Sequence, residues 1–350
     1  MKVGTNILTK GNGIDTSYIG EIAKQIETLH KDGHQVILVS SGAIGFGCME
    51  LKKQPSRDIK MRQAFAAVGQ GLLMHEYAQA FNDVHVAQVL VTYDVIEDRK
   101  KYLNLRNSIR KLLTLGVIPI VNENDAVAVD EIGSKFGDND LLSAMVALKS
   151  NADALFILTD TTGLYTDNPA KNADARLVRT ISEITPAVEG YAGKAGFTHG
   201  VGGMKAKINA AKLAIKGGCT MVIANGREED VLLRLVAGER IGTLFIPKKK
   251  LSSKQRWILS GKPKGTIHVN ECADDILQKD TVNLLPIGVD NVEGTFKKGD
   301  VVMINDFAKA IVEYDAKTIN KVKGLESAAA AKILGKKRAE VVKQELMVFI

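Results

Sequence analysis

The sequence predicts an α/β protein: a mostly parallel central sheet covered by helices, followed by a small β-rich domain. Three observations carry this. Apolar runs of strand length alternate with longer runs of helical period throughout the residues before Pro247. The strand-like runs are continuously apolar, as parallel strands buried on both faces must be. After Pro247 the pieces shorten and turn residues separate them at close intervals. A chain of 350 residues, 45% apolar and 25% charged, has material for two such domains.

In order along the chain, Lys2-Val3 leads into Gly4 as a first strand end. Asp15, Thr16 and Ser17 are capping candidates ahead of Ile19, Ile22, Ala23, Ile26 and Leu29, which recur at helical spacing, and Gly33 stops that helix. Val36–Val39 is a strand, Met61–Phe81 a long helix and Val84–Val91 a strand. Tyr102–Leu115 is helical, Val117–Val121 a strand, Leu141–Leu148 a short helix and Ala154–Leu158 a strand. Lys205–Lys216 and Thr220–Ala224 close the series as helix and strand. The first domain is thus expected to span residues 1–247, a basic linker 248–254, and the second domain 255–350. In the second, Gly265–Val269, Asn283–Pro286, Gly299–Ile304 and Ala310–Tyr314 are strand-like, Ala328–Leu334 is a helical insert and Glu340–Phe349 a last strand.

Net charge is +7, and its placement matters. Residues 1–246 carry 28 Lys and Arg against 27 Asp and Glu, and residues 255–350 carry 15 against 13. Lys248, Lys249, Lys250 and Lys254 supply much of the excess, which reads as a solvated basic hinge rather than a nucleic-acid face. Cys48, Cys219 and Cys272 have no zinc or disulfide spacing. No apolar run approaches the roughly 20 residues of a membrane span, and no signal peptide opens the chain, so a cytoplasmic enzyme is expected.

One device recurs: an apolar strand, then small or polar residues, then a helix start, where backbone N–H groups favour anions. It appears at Gly4-Thr5-Asn6, at Ser40-Ser41-Gly42-Ala43, at Thr159-Asp160, and at Gly202-Gly203-Met204-Lys205-Ala206-Lys207. Asn122-Glu123-Asn124-Asp125 and Gly137-Asp138-Asn139-Asp140 add carboxylates and carboxamides suited to a polar ligand, and Asp125 and Asp138 suit an α-ammonium group. Each piece alone is also an ordinary turn. The Walker pattern and the Rossmann glycine fingerprint are absent, and Gly137–Asp140 lacks the spacing and terminal Glu of a calcium loop. Phosphate handling with a charged substrate remains.

Taken together and in order, Lys2-Val3-Gly4-Thr5-Asn6-Ile7-Leu8-Thr9, Ser40–Ile44, Ala67-Val68-Gly69-Gln70, Glu97-Asp98-Arg99, Asn122–Val127, Gly137–Asp140 and Gly202-Gly203-Met204 resemble the amino-acid kinase family, in the branch that phosphorylates glutamate. From about Arg256 the chain looks like the PUA domain that this branch often carries. The resemblance implies ATP-dependent phosphorylation of the side-chain carboxylate of L-glutamate, with Mg²⁺ accompanying ATP and no protein metal ligand. It implies Lys2, Asp140 and Lys207 as catalytic residues, with Asp140 orienting both lysines. Ser41, Gly42, Ala43, Asp125, Asp138 and Asn139 would bind glutamate. Lys2, Gly4, Thr159, Asp160, Val201, Gly202, Gly203, Met204, Lys205, Ala206 and Lys207 would bind ATP. It further implies inhibition by L-proline and a homo-oligomer. Several residues precede the lysine in the family and only Met1 does here, so a start upstream of Met1, or a shortened chain, is expected. Kinases of aspartate, acetylglutamate or carbamate, and an RNA-binding PUA protein, are the alternatives.

Overall fold

The computed structural model describes the chain except residues 12, 93, 96–97, 128–138, 195–202, 249–250, 280–281 and 337–338. The described residues divide into two compact units, Met1–Lys249 and Lys250–Ile350.

The first unit is built on β1 (Lys2–Val3), β4 (Leu38–Val39), β5 (Val86–Val91), β6 (Ile118–Glu123), β7 (Ala154–Thr159), β8 (Thr180–Ile181), β9 (Thr220–Asn225) and β10 (Thr243–Phe245), in the spatial order β5-β6-β4-β1-β7-β9-β10-β8. Neighbours are parallel from β5 through β9; β10 runs antiparallel to β9. A small hairpin, β2 (Thr9–Lys10) with β3 (Gly13–Ile14), stands apart. The central strands are mainly apolar because both faces are covered. Val3, Leu38, Ile118 and Leu158 belong to one core with Ile19, Ile22 and Ile26 of the helix Thr16–Lys31. Leu155, Ile157, Met221 and Ile223 belong to another with Ala144, Ile208 and Ala211. Asp15 caps the helix Thr16–Lys31 by accepting from the Tyr18 N–H, and Gly33 takes a left-handed conformation just past its end.

β1 is central, and the chain fills one side of it first (β4, β6, β5) before crossing to the other (β7, β9). In open parallel sheets, such a reversal leaves a crevice at the carboxyl ends of the strands. Two helices narrow the crevice. Ala43–Glu50 crosses Ile59–Ala80 so closely that a Cβ on Gly69 would stand 1.9 Å from the Ala43 carbonyl oxygen, and one on Gly47 would stand 1.9 Å from that of Phe65. Glycine at 47 and 69 lets the two backbones meet.

Several boundaries differ from expectation. The strand expected at Val36–Val39 is ladder-paired only at Leu38–Val39, and the Met1 ammonium donates to the Ile37 carbonyl. The helix start anticipated after Ser40-Ser41-Gly42 opens the helix Ala43–Glu50, whose extent no periodicity marks, because its mixed glycines and apolar residues carry no amphipathic stripe. No helix among the described residues is long and apolar enough to cross a membrane.

The second unit holds a five-stranded sheet in the order β12-β11-β13-β14-β15: β11 (Gly265–Val269), β12 (Val289–Gly294), β13 (Val301–Ile304), β14 (Ala308–Val312) and β15 (Val342–Phe349). All pairings are antiparallel except β11 with β13. Ile267, Val302, Ile304, Ala310 and Val342 form its core. The strand expected at Asn283–Pro286 is a single bridge at Leu284 followed by a short 3₁₀ turn, since Pro286 has no N–H for a ladder. The helix Ser253–Ser260 begins within the stretch expected to be linker, and Ser252 and Gln255 close a capping box on it.

On its β9 side, β7 is paired from Ala154 to Thr159, but on its β1 side only Ile157 and Leu158 have partners. Two or three β-forming residues added ahead of Met1 extend β1 between β4 and β7. At about 1 kcal/mol for each ladder bond gained, the melting temperature is expected to rise by roughly 2–5 °C. An unchanged melting curve refutes this.

Candidate active site

The crevice at the carboxyl ends of β1, β4, β6 and β7 is a cleft of about 500 Å³. Lys2, Gly4, Ser41, Gly42, Ala43, Asp125, Asn139, Thr159, Asp160, Gly203, Met204 and Lys207 all line it. Residues scattered over two hundred positions of sequence thus meet in one place.

At its base lies Asp140, wholly buried in the first turn of the helix Asn139–Ser150. Lys2 Nζ stands 2.6 Å from Asp140 Oδ1, and Lys207 Nζ donates to Asp140 Oδ2 at 3.0 Å. Both lysines are themselves buried but open onto the cleft. Burial alone would raise the Asp140 pKa. The ammonium groups of Lys2 and Lys207 outweigh it and hold the carboxyl below the ordinary carboxylate range. Within these three groups one negative charge stands against two positive ones.

Two helix starts add partial positive charge to that wall. Gly42, at φ +105°, is the left-handed residue that turns β4 into the helix Ala43–Glu50. Gly203 opens the helix Met204–Lys216. The unpaired N–H groups of such first turns favour anions. Gly4 serves differently from expectation: its N–H donates to the Leu158 carbonyl, so it brings backbone close to the cleft without offering a donor there. Asn6 donates to Asp160 Oδ2 and Thr159 to Asp160 Oδ1, which fixes the Asp160 carboxylate.

The opposite part of the cleft is acidic. Asp125 and Glu123 lie there with Arg62, from the first turn of the helix Ile59–Ala80. Burial and the charge of Asp125 push the Glu123 pKa up to about 7, against the opposing pull of Arg62. Burial pushes Asp125 to about 6, again opposed by Arg62. Asn139 closes this end: its Nδ2 donates to the Ser40 carbonyl, to Ser41 Oγ and to Asn122 Oδ1.

Some expected residues fall elsewhere. Lys205 is exposed and Ala206 half-buried, and neither lines the cleft; the helical period that turns Met204 and Lys207 inward carries Lys205 away. Asp138, Val201 and Gly202 lie outside the described residues. Arg62, Glu123 and Asn6 were not singled out. Glu123 sits inside a quoted motif, but nothing local marks it above its neighbours. Arg62 reaches the cleft only because the helix Ile59–Ala80 packs on Ala43–Glu50. Among the described residues no group of three His, Cys, Asp or Glu could hold a metal ion.

A lysine-lined anion wall at the carboxyl ends of a parallel sheet, facing an acidic end that suits a cationic group, is the layout of a phosphotransferase for small charged acceptors. The chain belongs to the amino acid kinase family, whose model matches residues 1–225, and the PUA domain model matches residues 265–334. Its curated relatives are glutamate 5-kinases. It is 44% identical to that of Methanococcoides burtonii and 46% identical to that of Methanosarcina barkeri, each over 99% of this chain and 94% of the relative. Against the glutamate 5-kinase of Carboxydothermus hydrogenoformans it is 41% identical over the whole chain and 96% of the relative. Among solved structures, the carbamate kinase of Giardia lamblia shares the fold, with a TM-score of 0.51 at 17% identity, covering 71% of this chain and 97% of that one.

The raised pKa values of Glu123 and Asp125 set a pH dependence. Both groups carry a proton below their pKa and lose it as pH rises, so the acidic end gains its negative charge between about pH 6 and 7. The value of kcat/KM for an acceptor that bears an ammonium group reports the free enzyme, so it is expected to climb across that window and level off above it. A flat profile between pH 5.5 and 8 counts against this.

Proposed function

We infer that the protein transfers the γ-phosphoryl group of ATP to the side-chain carboxylate of L-glutamate, giving ADP and L-glutamyl 5-phosphate, the first step of L-proline synthesis. The observation that carries this reading is the Lys2–Asp140–Lys207 bridge, set in one cleft between two helix starts and an acidic end.

The chemistry asks for little beyond alignment and charge. The acceptor carboxylate is ionised at neutral pH, so the nucleophile needs no general base. The obstacle is the approach of one anion to another. Lys2 and Lys207 offset the charge on the transferring group, and the N–H groups after Gly42 and Gly203 contribute from either side. Asp140 keeps two like charges close together without their repelling each other apart, and supports them from behind. The α-ammonium of glutamate fits the end held by Asp125 and Asn139, with Glu123 adding charge. Arg62 suits the α-carboxylate. Ser41, Gly42 and Ala43 then face the side chain. Thr159, Asp160, Gly203 and Met204 line the part left for the nucleotide. Mg²⁺ comes with the phosphates of ATP. L-Proline shares the α-carboxylate and a cationic nitrogen with glutamate, so competition at the acidic end accounts for inhibition by it.

ATP-dependent hydroxamate formation over a panel of amino acids tests the reading. L-Glutamate is expected to give the highest kcat/KM, and a higher value for aspartate or acetylglutamate overturns the assignment. Lys207→Met keeps the apolar stem and removes the charge. By analogy with loss of one preorganised donor, kcat is expected to fall by roughly 10²–10³ with a much smaller change in the KM for ATP. A folded variant that keeps most of its kcat excludes the role.

A further inference from the structure

Asn139 is held at the end of a chain of carboxamides. Gln88 Oε1, on β5, accepts from Gln70 Nε2 at 3.0 Å. Gln70 Oε1 accepts from Asn122 Nδ2 at 2.8 Å. Asn122 Oδ1 accepts from Asn139 Nδ2 at 2.8 Å. Gln70 and Asn122 are buried, while Gln88 reaches the surface.

The direction of this chain is fixed at two points by backbone groups that cannot reverse. The Glu123 N–H, which can only donate, donates to Asn122 Oδ1 at 2.9 Å. The Ser40 carbonyl, which can only accept, accepts from Asn139 Nδ2 at 2.6 Å. Turning the Asn122 amide over would set two donors against each other at Glu123. Turning the Asn139 amide would set two acceptors against each other at Ser40. The two hydrogens of Asn139 Nδ2 are committed to Ser40, Ser41 and Asn122. What Asn139 has left to offer the cleft is its Oδ1, an acceptor.

We propose that Gln70, acting through Asn122, is a positioning residue that holds the Asn139 amide with its oxygen toward the α-ammonium of the amino-acid substrate. This rests on the reading of the cleft as an amino-acid kinase site and extends it to a residue that touches no substrate. Without Gln70 the buried Asn122 Nδ2 loses its acceptor, and an amide with an unpaired donor has reason to rotate. Rotation would move Asn122 Oδ1 away from Asn139, whose amide would then be held by Ser40 and Ser41 alone, with its oxygen less firmly aimed at the ammonium.

The test compares Gln70→Met with Gln70→Glu. Methionine fills the space and removes the acceptor. Glutamate keeps an acceptor for Asn122 whether or not it is protonated, and the exposed Gln88 amide can turn to suit either form. In Gln70→Met the KM for L-glutamate is expected to rise roughly tenfold, the size of one hydrogen bond, with the KM for ATP within about twofold of the parent. The inhibition constant of glutarate, which has both carboxylates and no ammonium, is expected to stay within about twofold as well. Gln70→Glu is expected to restore the KM for glutamate to within about threefold. Should Gln70→Met not fold, Gln70→Asn withdraws the same amide by one methylene and is expected to give the same split. Parallel weakening of glutamate and glutarate, or an unchanged KM for glutamate, overturns the proposal. Absence of glutamate turnover in the unsubstituted enzyme would instead overturn the functional reading on which it rests.

Discussion

The site depends on one carboxylate that carries two ammonium groups. Asp140 has no exposed surface, and its two oxygens are divided between Lys2 and Lys207. Buried charge is tolerated only when paired, and replacing one partner of such a set leaves an uncompensated charge behind. The pairing also states what each lysine is for. An ammonium tied to a carboxylate at 2.6–3.0 Å has lost its side-chain freedom before any ligand arrives, so no ordering remains to be done during catalysis. The three residues come from β1, the helix after β6 and the helix before β9. Every element between them must be in place for the bridge to close.

The parallel sheet makes that meeting possible. Its six parallel strands, from β5 through β9 in the spatial order, deliver their carboxyl ends to one edge, and the reversal of order at β1 opens a crevice there. The same edge carries opposite charge at its two ends. Lys2 and Lys207 dominate one; Glu123 and Asp125, only partly offset by Arg62, dominate the other. A zwitterionic acceptor with a free side-chain carboxylate matches that gradient. The close crossing at Gly47 and Gly69 holds the gradient together, because it seats Gln70 against Asn122 and the helix start at Ala43 against the cleft.

Much of this was legible in the residues. Continuous apolar runs at Val117–Val121, Ala154–Leu158 and Thr220–Ala224 identified covered parallel strands, and each strand proved longer at its carboxyl end by one or two polar residues. Those added residues, Asn122, Glu123, Thr159 and Asn225, pair in the ladder while reaching toward the ligand edge, so their polarity disguised them as loop. Lys2, Asp140 and Lys207 were named from the ordered set of motifs, since no spacing in the sequence announces that they touch. Arg62 was not legible: its placement follows from how one helix lies across another, which depends on two glycines and not on any property of the arginine. Lys205 is contiguous with Lys207 in sequence but not in space, because the helical turn carries it away from the cleft.

The central strand precedes both of its neighbours in sequence. β1 has no edge of its own: it must lie between β4 and β7, whose pairing residues are Val39 on one side and Ile157 and Leu158 on the other. During synthesis β1 can pair with β4 once Val39 has followed, but its other side waits for Ile157 and Leu158, by which point β5 and β6 can already have zipped together. Joining segments that distant in sequence is entropically slow. Closure of the Lys2–Asp140–Lys207 bridge is then a late event of synthesis, because Lys207 follows β7 in the chain. Occupancy of the Lys2–Asp140–Lys207 bridge becomes a marker that the whole first unit has folded, and nascent chains stalled before Lys207 would carry the motif without the site.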